Sequence, residues 1–335
     1  MAGFPSTRRR LCLCAALAAT ALAATALAAT AWPGPSFAQP QMTRIVVAFP
    51  PGGPVDFVAR ALAEQLGKEL GSTVVVENKA GANGAIAAEW VSRAPPDTRT
   101  LWLTSVGAVA INPALYPRLG YRPATDLAPV SLVVSNVEML VVSARAPYGT
   151  GAEFVAAARE SGKPLTMASS GTGSVPHLAM ELLNEHAGVR LAHIPYKGAA
   201  PAITDVVAGH VDGFFGDIPG LIGQISAGKL KPLGIAASRR HPLFPEVRTF
   251  AEMGIAGVDS DNWYALFAPR GTPAAETEKM ARAVQRALHA PSVRSRLEAS
   301  GAEVIASTPA ELARRLEADT RKWSRVVRAN GITPD

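Results

Sequence analysis

Three residues in the second half of the chain are of the types that form a hydrolytic triad: Ser174, His177 and Asp217. Such a triad needs a nucleophile beside a base that a third group orients. Ser174 has no G-x-S-x-G sequence around it, and a serine and a histidine on adjacent helical turns more often begin a helix than form a dyad. An exported hydrolase is therefore the second interpretation of these residues, not the first.

Metal and nucleotide sites have less support in the sequence. The six histidines show neither an H-E-x-x-H motif nor another metal-ligand spacing. Gly171 and Gly173 lack the third glycine of a dinucleotide-binding motif, because position 176 is a proline, and no G-x-x-x-x-G-K-[ST] sequence occurs. We therefore expect no metal and no cofactor.

Four side chains beside glycine-rich turns are candidates for contact with a ligand. Lys197 can pair with a ligand carboxylate or simply be solvated. Asp217 follows Gly216 at the end of an apolar segment, where it can accept a hydrogen bond from a ligand or cap the next helix. Phe49 and Tyr196 end apolar strands, and each either packs in the core or touches the ligand.

The first of these turns lies between a strand and a helix. Residues 45–49 form a continuous apolar run, as in a parallel strand covered on both faces. After the turn, Pro54 suits the first helical position and Asp56 suits the positive end of the helix dipole. Apolar residues then recur at three- and four-residue spacing and predict one buried helical stripe: Val55, Val58, Leu62, Leu66 and Leu70.

The same order of strand, glycine-rich turn and helix recurs at "PLTMASSGTGSVPHLAMELL", "LAHIPYKGAAPAITDVV", "VDGFFGDIPGLIGQI" and, more loosely, "TLWLTSVGAVAINPAL". This alternation predicts an α/β protein with mostly parallel sheets. Ligands of such sheets bind beyond the carboxyl ends of the strands, where all these turns lie. The turns present free backbone N–H groups at the positive ends of helices, so they can hold an anion without a lysine or arginine.

The N-terminal segment has the pattern of an export signal. Three arginines at positions 8–10 precede an uncharged run over residues 11–31, and small residues at 36 and 38 fit a cleavage site. We predict a signal peptide over residues 1–38; the alternative is an uncleaved membrane anchor. Both cysteines, Cys12 and Cys14, lie in this segment, so the mature chain has no thiol for catalysis, metal binding or disulfides.

Composition and charge narrow the class further. The 335 residues, 48% of them hydrophobic, are enough for one or two globular domains with sizeable cores. The net charge of +6 falls to +3 once the signal peptide is removed. This balance argues against a nucleic-acid binder, which would need a dense basic face.

Several motifs occur in one order along almost the whole mature chain: "VVAFPPGGPVDFVARALAEQL", "VVVENKAGANGAIAAEWVSRAPPD", "SSGTGSVPHLAMELL", "HIPYKGAAPAITDVVAGHVDGFFGD" and "WYALFAPRGTP". Together they resemble the Bug family, the extracytoplasmic receptors of tripartite tricarboxylate transporters. The resemblance implies a two-lobed periplasmic binding-protein fold of type II, in which the chain crosses between the lobes twice.

The resemblance also implies where the lobes divide. The crossings are expected near "EMLVVSARAP" and "NWYALFAPRG", since each is an apolar strand followed by a proline loop. Lobe one would then comprise residues 39–142 and 262–335, and lobe two residues 143–261.

Bug proteins hold a ligand carboxylate between the turn after the first strand and an opposing turn of the second lobe, largely through backbone groups and water. Carried over to this sequence, the resemblance implies two facing sets of ligand-binding residues, with Gly198 and Asp217 at the rim. The first set is Phe49, Pro51, Gly52, Gly53 and Asp56. The second set is Ser170, Gly171, Thr172, Gly173 and His177.

The resulting expectation is a monomeric periplasmic receptor that is not an enzyme. Its partners would be a small carboxylate and the membrane subunits of a tripartite tricarboxylate-type transporter. A sensor kinase in place of the transporter is an alternative, because the ligand site would be the same. The choice among a dicarboxylate, an amino acid and an aromatic acid stays open, since a few side chains can change the selectivity of such a pocket.

Overall fold

The computed structural model describes residues 42–333. The predicted signal peptide, its two cysteines and the predicted mature start at Gln39 lie outside these residues. Within the described range, no helix is both long and apolar enough to cross a membrane.

Strands and helices alternate along most of the described chain. The strands are β1 Met42–Val47, β2 Thr73–Asn78, β3 Thr100–Ser105, β4 Leu127–Ser143, β5 Thr166–Ser169, β6 Ala192–Pro195, β7 Gly213–Asp217, β8 Leu230–Ile235, β9 Asp261–Pro269 and β10 Glu303–Val304. The α-helices are α1 Pro54–Leu70, α2 Ala85–Ser92, α3 Asn112–Leu115, α4 Pro123–Asp126, α5 Gly151–Glu160, α6 Val175–Ala187, α7 Ala199–Ala208, α8 Ile218–Ser226, α9 Ala274–His289, α10 Pro291–Ala299 and α11 Pro309–Ala329. A π-helical segment, Gly107–Ile111, follows β3.

The strands form two sheets that share the long strand β4. The strand order is β2-β1-β3-β9-β4-β7-β5-β6, and β8 and β10 also pair with β4. The part of β4 up to Val137 pairs with β9 in the first sheet, and the part from Glu138 onward pairs with β7 and β8 in the second. The chain therefore passes from one sheet to the other between these two residues.

The expected parallel pairing holds for three strands of each sheet. β1 is parallel to β2 and β3, and β5 is parallel to β6 and β7. The central strands β4 and β9 are antiparallel to their neighbours. The pairings of β4 and β9 are thus the ones that depart from the predicted parallel arrangement.

Each sheet is covered on both faces, as the continuous apolar strands predict. In β1, Ile45 and Val47 contribute to one hydrophobic cluster while Val46 contributes to the cluster on the opposite face. In β4, Leu140 and Met139 divide between two further clusters in the same way. Successive strand residues point to opposite faces, so an unbroken apolar run requires apolar cover on both sides.

The helical stripes predicted from the sequence are buried. In α1, the residues Val55, Val58, Leu62 and Leu66 are buried, and Leu70 is partly buried against the same cluster. The last helix, α11, begins with a capping box between Thr308 and Glu311 and packs on the first sheet through its own apolar stripe. These helices hold the turns at the strand ends in fixed positions.

Candidate ligand-binding site

The carboxyl ends of the parallel strands from both sheets meet at one cleft. The cleft contains an outer cavity of about 260 Å³, lined by residues 49–50, 81–84, 170–172 and 195–198 together with Tyr116. These segments are the turns after β1, β2, β5 and β6. Parallel strands place their following turns at the same edge of a sheet, so two facing sheets bring four turns together.

The outer cavity contains little charge. Lys197 is its one charged residue among those described, and its side chain is exposed. Tyr196, also in the lining, donates its hydroxyl to Asp205 at 2.6 Å. The wall is therefore made mainly of backbone, apolar side chains and small polar residues.

Helices that begin at this cleft lack a side-chain cap. Gly53, Gly84, Ser174 and Gly198 occupy the residue before α1, α2, α6 and α7, and none accepts a capping hydrogen bond with its side chain. Of the helices that begin outside both cavities, α5 and α11 are capped by threonine hydroxyls, whereas α9 and α10 also lack a side-chain cap. The uncapped ends leave backbone N–H groups for another acceptor.

The turn after β2 has an unusual backbone. Gly81, Ala82, Asn83 and Gly84 have φ angles of 132°, 46°, 44° and 88°. Positive φ is uncommon for residues other than glycine and costs roughly 1–2 kcal/mol where Cβ crowds the backbone. Strain of this kind concentrates at functional sites and persists only where surrounding contacts hold it.

Those contacts are provided by the side chain of Asn83. Its Nδ2 donates to Asn112 Oδ1 at 3.0 Å and to the carbonyl of Gly173 at 2.9 Å. Asn112 in turn donates to the carbonyl of Asn83 at 3.2 Å and to the hydroxyl of Tyr121 at 3.1 Å. The second of the Asn83 bonds spans the cleft, because Gly173 belongs to the turn after β5.

The two sides of the cleft touch at a second place. Gly198 has φ 121°, and a Cβ atom on it would lie 2.8 Å from the Cδ atom of Pro50 on the opposite side. A glycine is required here both by the backbone angle and by the close approach. The cleft is therefore closed in this structure.

A second, smaller cavity of about 30 Å³ lies against the outer one and shares Phe49, Pro50 and Ser170 with it. We call it the floor cavity. Its distinctive polar walls are Ser105, Asp217, Asn262 and Tyr264, and its remaining walls are residues 53–55 and 199–200.

Asp217 is held by two residues of β9. Asn262 Nδ2 donates to its two carboxylate oxygens at 3.0 and 3.1 Å, and the hydroxyl of Tyr264 donates to Oδ2. The same Asn262 nitrogen lies 3.3 Å from Glu138 Oε1. Asp217 occupies the N-cap position of α8, yet its side chain makes no capping bond there.

Glu138 and Asp217 form a buried pair of acids. They face each other in the antiparallel register of β4 and β7. Burial raises the pKa of Glu138 well above its usual range, and the charge of Asp217 raises it further. Burial also raises the pKa of Asp217, to about 6, against the opposing effect of its hydrogen bonds from Tyr264 and Asn262. Two adjacent buried carboxyl groups cannot both be ionised at low cost, so the pair retains one proton near neutral pH, mainly on Glu138.

Seven of the residues predicted for the site line one or both cavities. Phe49, Ser170, Gly171, Thr172 and Gly198 line the outer cavity; Phe49, Gly53, Ser170 and Asp217 line the floor cavity. Asp217 is predicted at the rim, but its side chain is buried at the floor because β7 ends inside the cleft and its carboxylate points toward β9.

The other predicted residues line neither cavity: Pro51, Gly52, Asp56, Gly173 and His177. Burial by itself would raise the pKa of Asp56, but hydrogen bonds from Arg60, from the Gly52 N–H and from Asn78 lower it. Asn78 also donates to the carbonyl of Phe49 at 3.0 Å. Asp56 thus fixes the shape of the first turn from behind.

His177 supports the opposing turn in a similar way. Its Nδ1 accepts the Gly173 N–H at 3.1 Å, and its Nε2 lies 3.5 Å from Glu181 Oε1. Its ring stacks on that of His193 with centroids 3.6 Å apart. The buried Ser174 hydroxyl has no partner among the described residues. Ser174, His177 and Asp217 are not joined by hydrogen bonds into a triad.

Several lining residues were not predicted from the sequence. The turn 81–84 carries a glycine-rich signal, "AGANG", directly after β2, and this signal could have placed it beside the other turns. Asn262 and Tyr264 lie on a long apolar strand with no local sign of a site. Glu138 likewise stands in an apolar strand, and only its register opposite Asp217 reveals its role.

The described residues contain no group of three or more His, Cys, Asp or Glu side chains arranged to hold a metal ion.

Two lobes, a shared long strand and a cleft at the carboxyl ends of parallel strands define a periplasmic binding-protein fold. Comparison with solved structures agrees: the periplasmic binding protein BugD superposes with a TM-score of 0.83 at 33% identity, over 88% of this chain and 99% of BugD.

Two further structures are as similar. MatC from Rhodopseudomonas palustris, solved with bound malate, gives a TM-score of 0.82 at 36% identity over 86% of this chain and all of MatC. A protein of the same organism solved with adipate gives 0.85 at 32% identity over 91% of this chain and all of that protein.

The sequence itself matches the profile described as "Tripartite tricarboxylate transporter family receptor" over residues 58–332. The chain therefore belongs to this family, of which the Bug proteins are members. The family consists of solute receptors, so the protein is a receptor and not an enzyme.

Proposed function

We propose that the protein captures a small carboxylate-bearing solute in the periplasm between its two lobes and delivers it to a tripartite tricarboxylate-type membrane transporter. The observation that carries the proposal is the outer cavity, where the uncapped starts of α2 and α7 and glycine turns from both sheets converge. Backbone N–H groups at helix starts bind anions, and the nearly uncharged wall leaves this task to them.

The size of the cavity and the structural neighbours support the same ligand class. A volume of about 260 Å³ lies just below the usual range of small-molecule pockets, roughly 300–1,000 Å³, so the ligand is small. Malate and adipate, seen in two neighbours, are small dicarboxylates. Closure also fits capture, because contacts that span the cleft form only when the lobes meet, and a ligand between them favours that state.

The site residues of this proposal are those of the two facing turns, Phe49, Pro51, Gly52, Gly53 and Asp56 on one side and Ser170, Gly171, Thr172, Gly173 and His177 on the other, with Gly198 and Asp217. The structure supports a division of labour among them. Residues at the cavities contact the ligand, whereas Asp56 and His177 hold the turns from behind. The lobe boundaries at residues 142 and 262 stay a prediction.

A thermal-shift screen tests ligand capture. Residues 39–335, unfolded and refolded to remove any bound solute, are heated with mono-, di- and tricarboxylates, amino acids and aromatic acids. A ligand at about a hundred times its Kd adds roughly 2.7 kcal/mol, which raises the midpoint by several degrees. We expect a shift confined to one class of carboxylate. A chain that responds to no carboxylate would contradict the proposal.

Delivery is tested separately in membranes from the host. The ligand-loaded receptor should copurify with integral membrane subunits of the transporter, and the ligand-free receptor should retain them less well. Recovery of a sensor kinase in place of transporter subunits would leave ligand capture intact and overturn the delivery step.

A further inference from the structure

The floor cavity differs chemically from the rest of the cleft. It shares walls with the outer cavity, so a ligand held at the outer turns can extend a short group into it. Its volume of about 30 Å³ is close to the space that one water molecule occupies in the liquid. The group that enters must therefore be about the size of an ammonium, a hydroxyl or a methyl group.

The charge at the floor is negative and is not balanced by a cation. Neither Glu138 nor Asp217 forms an ion pair with a lysine or arginine among the described residues. The nearest other acid, Asp261, is neutralised by Arg315, whose Nη2 lies 2.7 Å from its Oδ2. With one proton shared between them, Glu138 and Asp217 keep one negative charge at the cavity wall.

The carboxylate of Asp217 is held in place. Asn262 and Tyr264 donate to it from β9, and the register of β4 places Glu138 directly opposite. Ser105 and Ser170 bring two further hydroxyl groups to the cavity. These groups create a fixed set of oxygen atoms around a space for one small group.

We propose that this cavity is a subsite for an ammonium group, and that the receptor selects carboxylates carrying an amino group near the carboxylate over plain carboxylates. This inference rests on the proposed function, because the turns of the outer cavity must first hold the ligand carboxylate. Asp217 supplies the charge that the ammonium neutralises, and the two serine hydroxyls accept its remaining hydrogens.

An ammonium group suits this cavity better than the alternatives. A methyl or methylene group leaves the buried negative charge unpaired, and a second carboxylate would be repelled by it. A hydroxyl donates one hydrogen bond but brings no charge. A cation within about 5 Å of a carboxylate is strongly attracted to it in a partly dry cleft. After the cost of removing water from the cation is subtracted, this attraction should raise affinity roughly 10-fold or more.

Calorimetric titration of the refolded wild-type protein tests this with ligands that differ only at the group concerned. One set is L-aspartate, L-malate and succinate, which share a four-carbon skeleton. Matching sets use the skeletons of glutamate, alanine and phenylalanine. We expect the amino acid of whichever set binds to be favoured about 10-fold or more over the plain acid, with the hydroxy acid between them.

Two variants assign the preference to Asp217. Asp217→Asn keeps the size of the side chain and one accepting oxygen but removes the charge, and should reduce the preference for the amino acid over the plain acid to less than about 3-fold. The matched control is Asp212→Asn. Asp212 lies just before β7, the strand that Asp217 ends, accepts a hydrogen bond from the Thr166 N–H at 2.7 Å, and lines neither cavity. The control should keep the wild-type preference.

The outcomes separate this inference from the function it rests on. Equal or tighter binding of the plain or hydroxy acid by the wild type overturns the ammonium subsite and leaves carboxylate capture standing. An undiminished preference in Asp217→Asn moves the recognition to another residue and also overturns it. Failure of every acid in every set rejects carboxylate capture itself. The wild-type comparison holds even if the variant does not fold.

Discussion

The outer cavity and the floor cavity share walls but are built from different groups. The outer cavity is built from glycine turns and the uncapped starts of α2 and α7, with one exposed lysine as its charged residue among those described. The floor cavity is built from side chains, with a buried carboxylate held by Asn262 and Tyr264. Backbone groups recognise a carboxylate whatever it is attached to, whereas a fixed side chain reads the neighbouring substituent. The proposed capture of a carboxylate and the proposed selection of an ammonium group thus lie in different parts of one cleft.

The largest expected effect is a loss of binding when the cleft is prevented from closing at the outer cavity. Gly198→Val places a branched side chain where even a Cβ atom lies 2.8 Å from Pro50, on a backbone with φ 121°. We expect affinity for any ligand to fall about 100-fold or more, since the closed state carries the contacts on both sides of the ligand. Titration calorimetry against the best ligand of the screen measures this loss.

Gly209→Ala is the control for this variant. Gly209 ends the same helix, α7, also has positive φ at 82°, and has open space where a Cβ would lie. This change should cost roughly 1 kcal/mol of stability and leave affinity unchanged. If Gly198→Val bound as tightly as Gly209→Ala, close approach of the two sides would not be needed for binding.

A smaller loss of affinity is expected from changes at Asn83, whose side chain reaches across the cleft from the turn after β2. Removing the Asn83 side chain deletes its bond to the Gly173 carbonyl, which forms only when the cleft is closed. Asn83→Gly and Asn83→Ala should both lower affinity about 10-fold, the value of one buried hydrogen bond. Equal affinity of both variants and the wild type would show that this bond does not favour closure.

The same two variants separate strain from contact. Residue 83 has φ 44°, a conformation that glycine adopts freely and alanine does not. Asn83→Ala should therefore be less stable than Asn83→Gly by about 1 kcal/mol in urea unfolding. The reverse order would mean that the turn relaxes to a different backbone once its asparagine is gone.

The acids at the floor cavity should make the stability of the folded protein depend on pH. The folded-state pKa of Asp217 is raised to about 6, above its unfolded value, so its proton stabilises the folded protein. That contribution is complete below about pH 4 and is lost as the pH rises through about 6. Glu138, Asp261 and Tyr264 face Asp217, and the raised pKa of Glu138 acts in the same direction.

Thermal unfolding of the ligand-free protein from pH 4 to pH 7 measures this effect. As the pH rises, the thermal unfolding midpoint of Asp217→Asn should increase relative to that of the wild type, because the variant no longer buries a charge at residue 217. Asp212→Asn should follow the wild type across the range. A constant difference between Asp217→Asn and the wild type would indicate that the acid pair does not titrate in this interval.

The smallest effect is expected at Lys197. Its side chain is exposed at the mouth of the outer cavity, where solvent and salt screen its charge. Lys197→Ala should weaken carboxylate binding by less than about 3-fold, and 0.5 M salt should abolish even that difference. A loss comparable to that of Gly198→Val would mean that a charge, and not the backbone, holds the anion.

Much of the fold was predictable because its signals are local. The apolar stripe of α1, the continuous apolar run of β1 and the turn between them depend on residues within one short segment, and the structure confirms them. The recurrence of that unit also indicated which turns would meet, and Phe49, Ser170, Gly171 and Thr172 do line one cavity.

The sequence does not distinguish a side chain that contacts the ligand from one that supports the turn itself. Asp56 follows a glycine-proline turn, and its sequence position does not distinguish a carboxylate facing the ligand from one facing Arg60 and Asn78. His177 poses the same ambiguity, which only its contacts with Gly173 and Glu181 resolve.

Local propensity and motifs in a fixed order were enough to establish the α/β class, the receptor family and the set of glycine turns that line the cleft. The arrangement at the floor of the cleft, by contrast, follows from the pairing of distant strands. Glu138, Asp217 and Asn262 come from three strands with no local relation between them, and their meeting depends on how β4 pairs with β7 and β9. Burial, which changes the charge state of two acids, is a property of that pairing and cannot be seen in either residue alone.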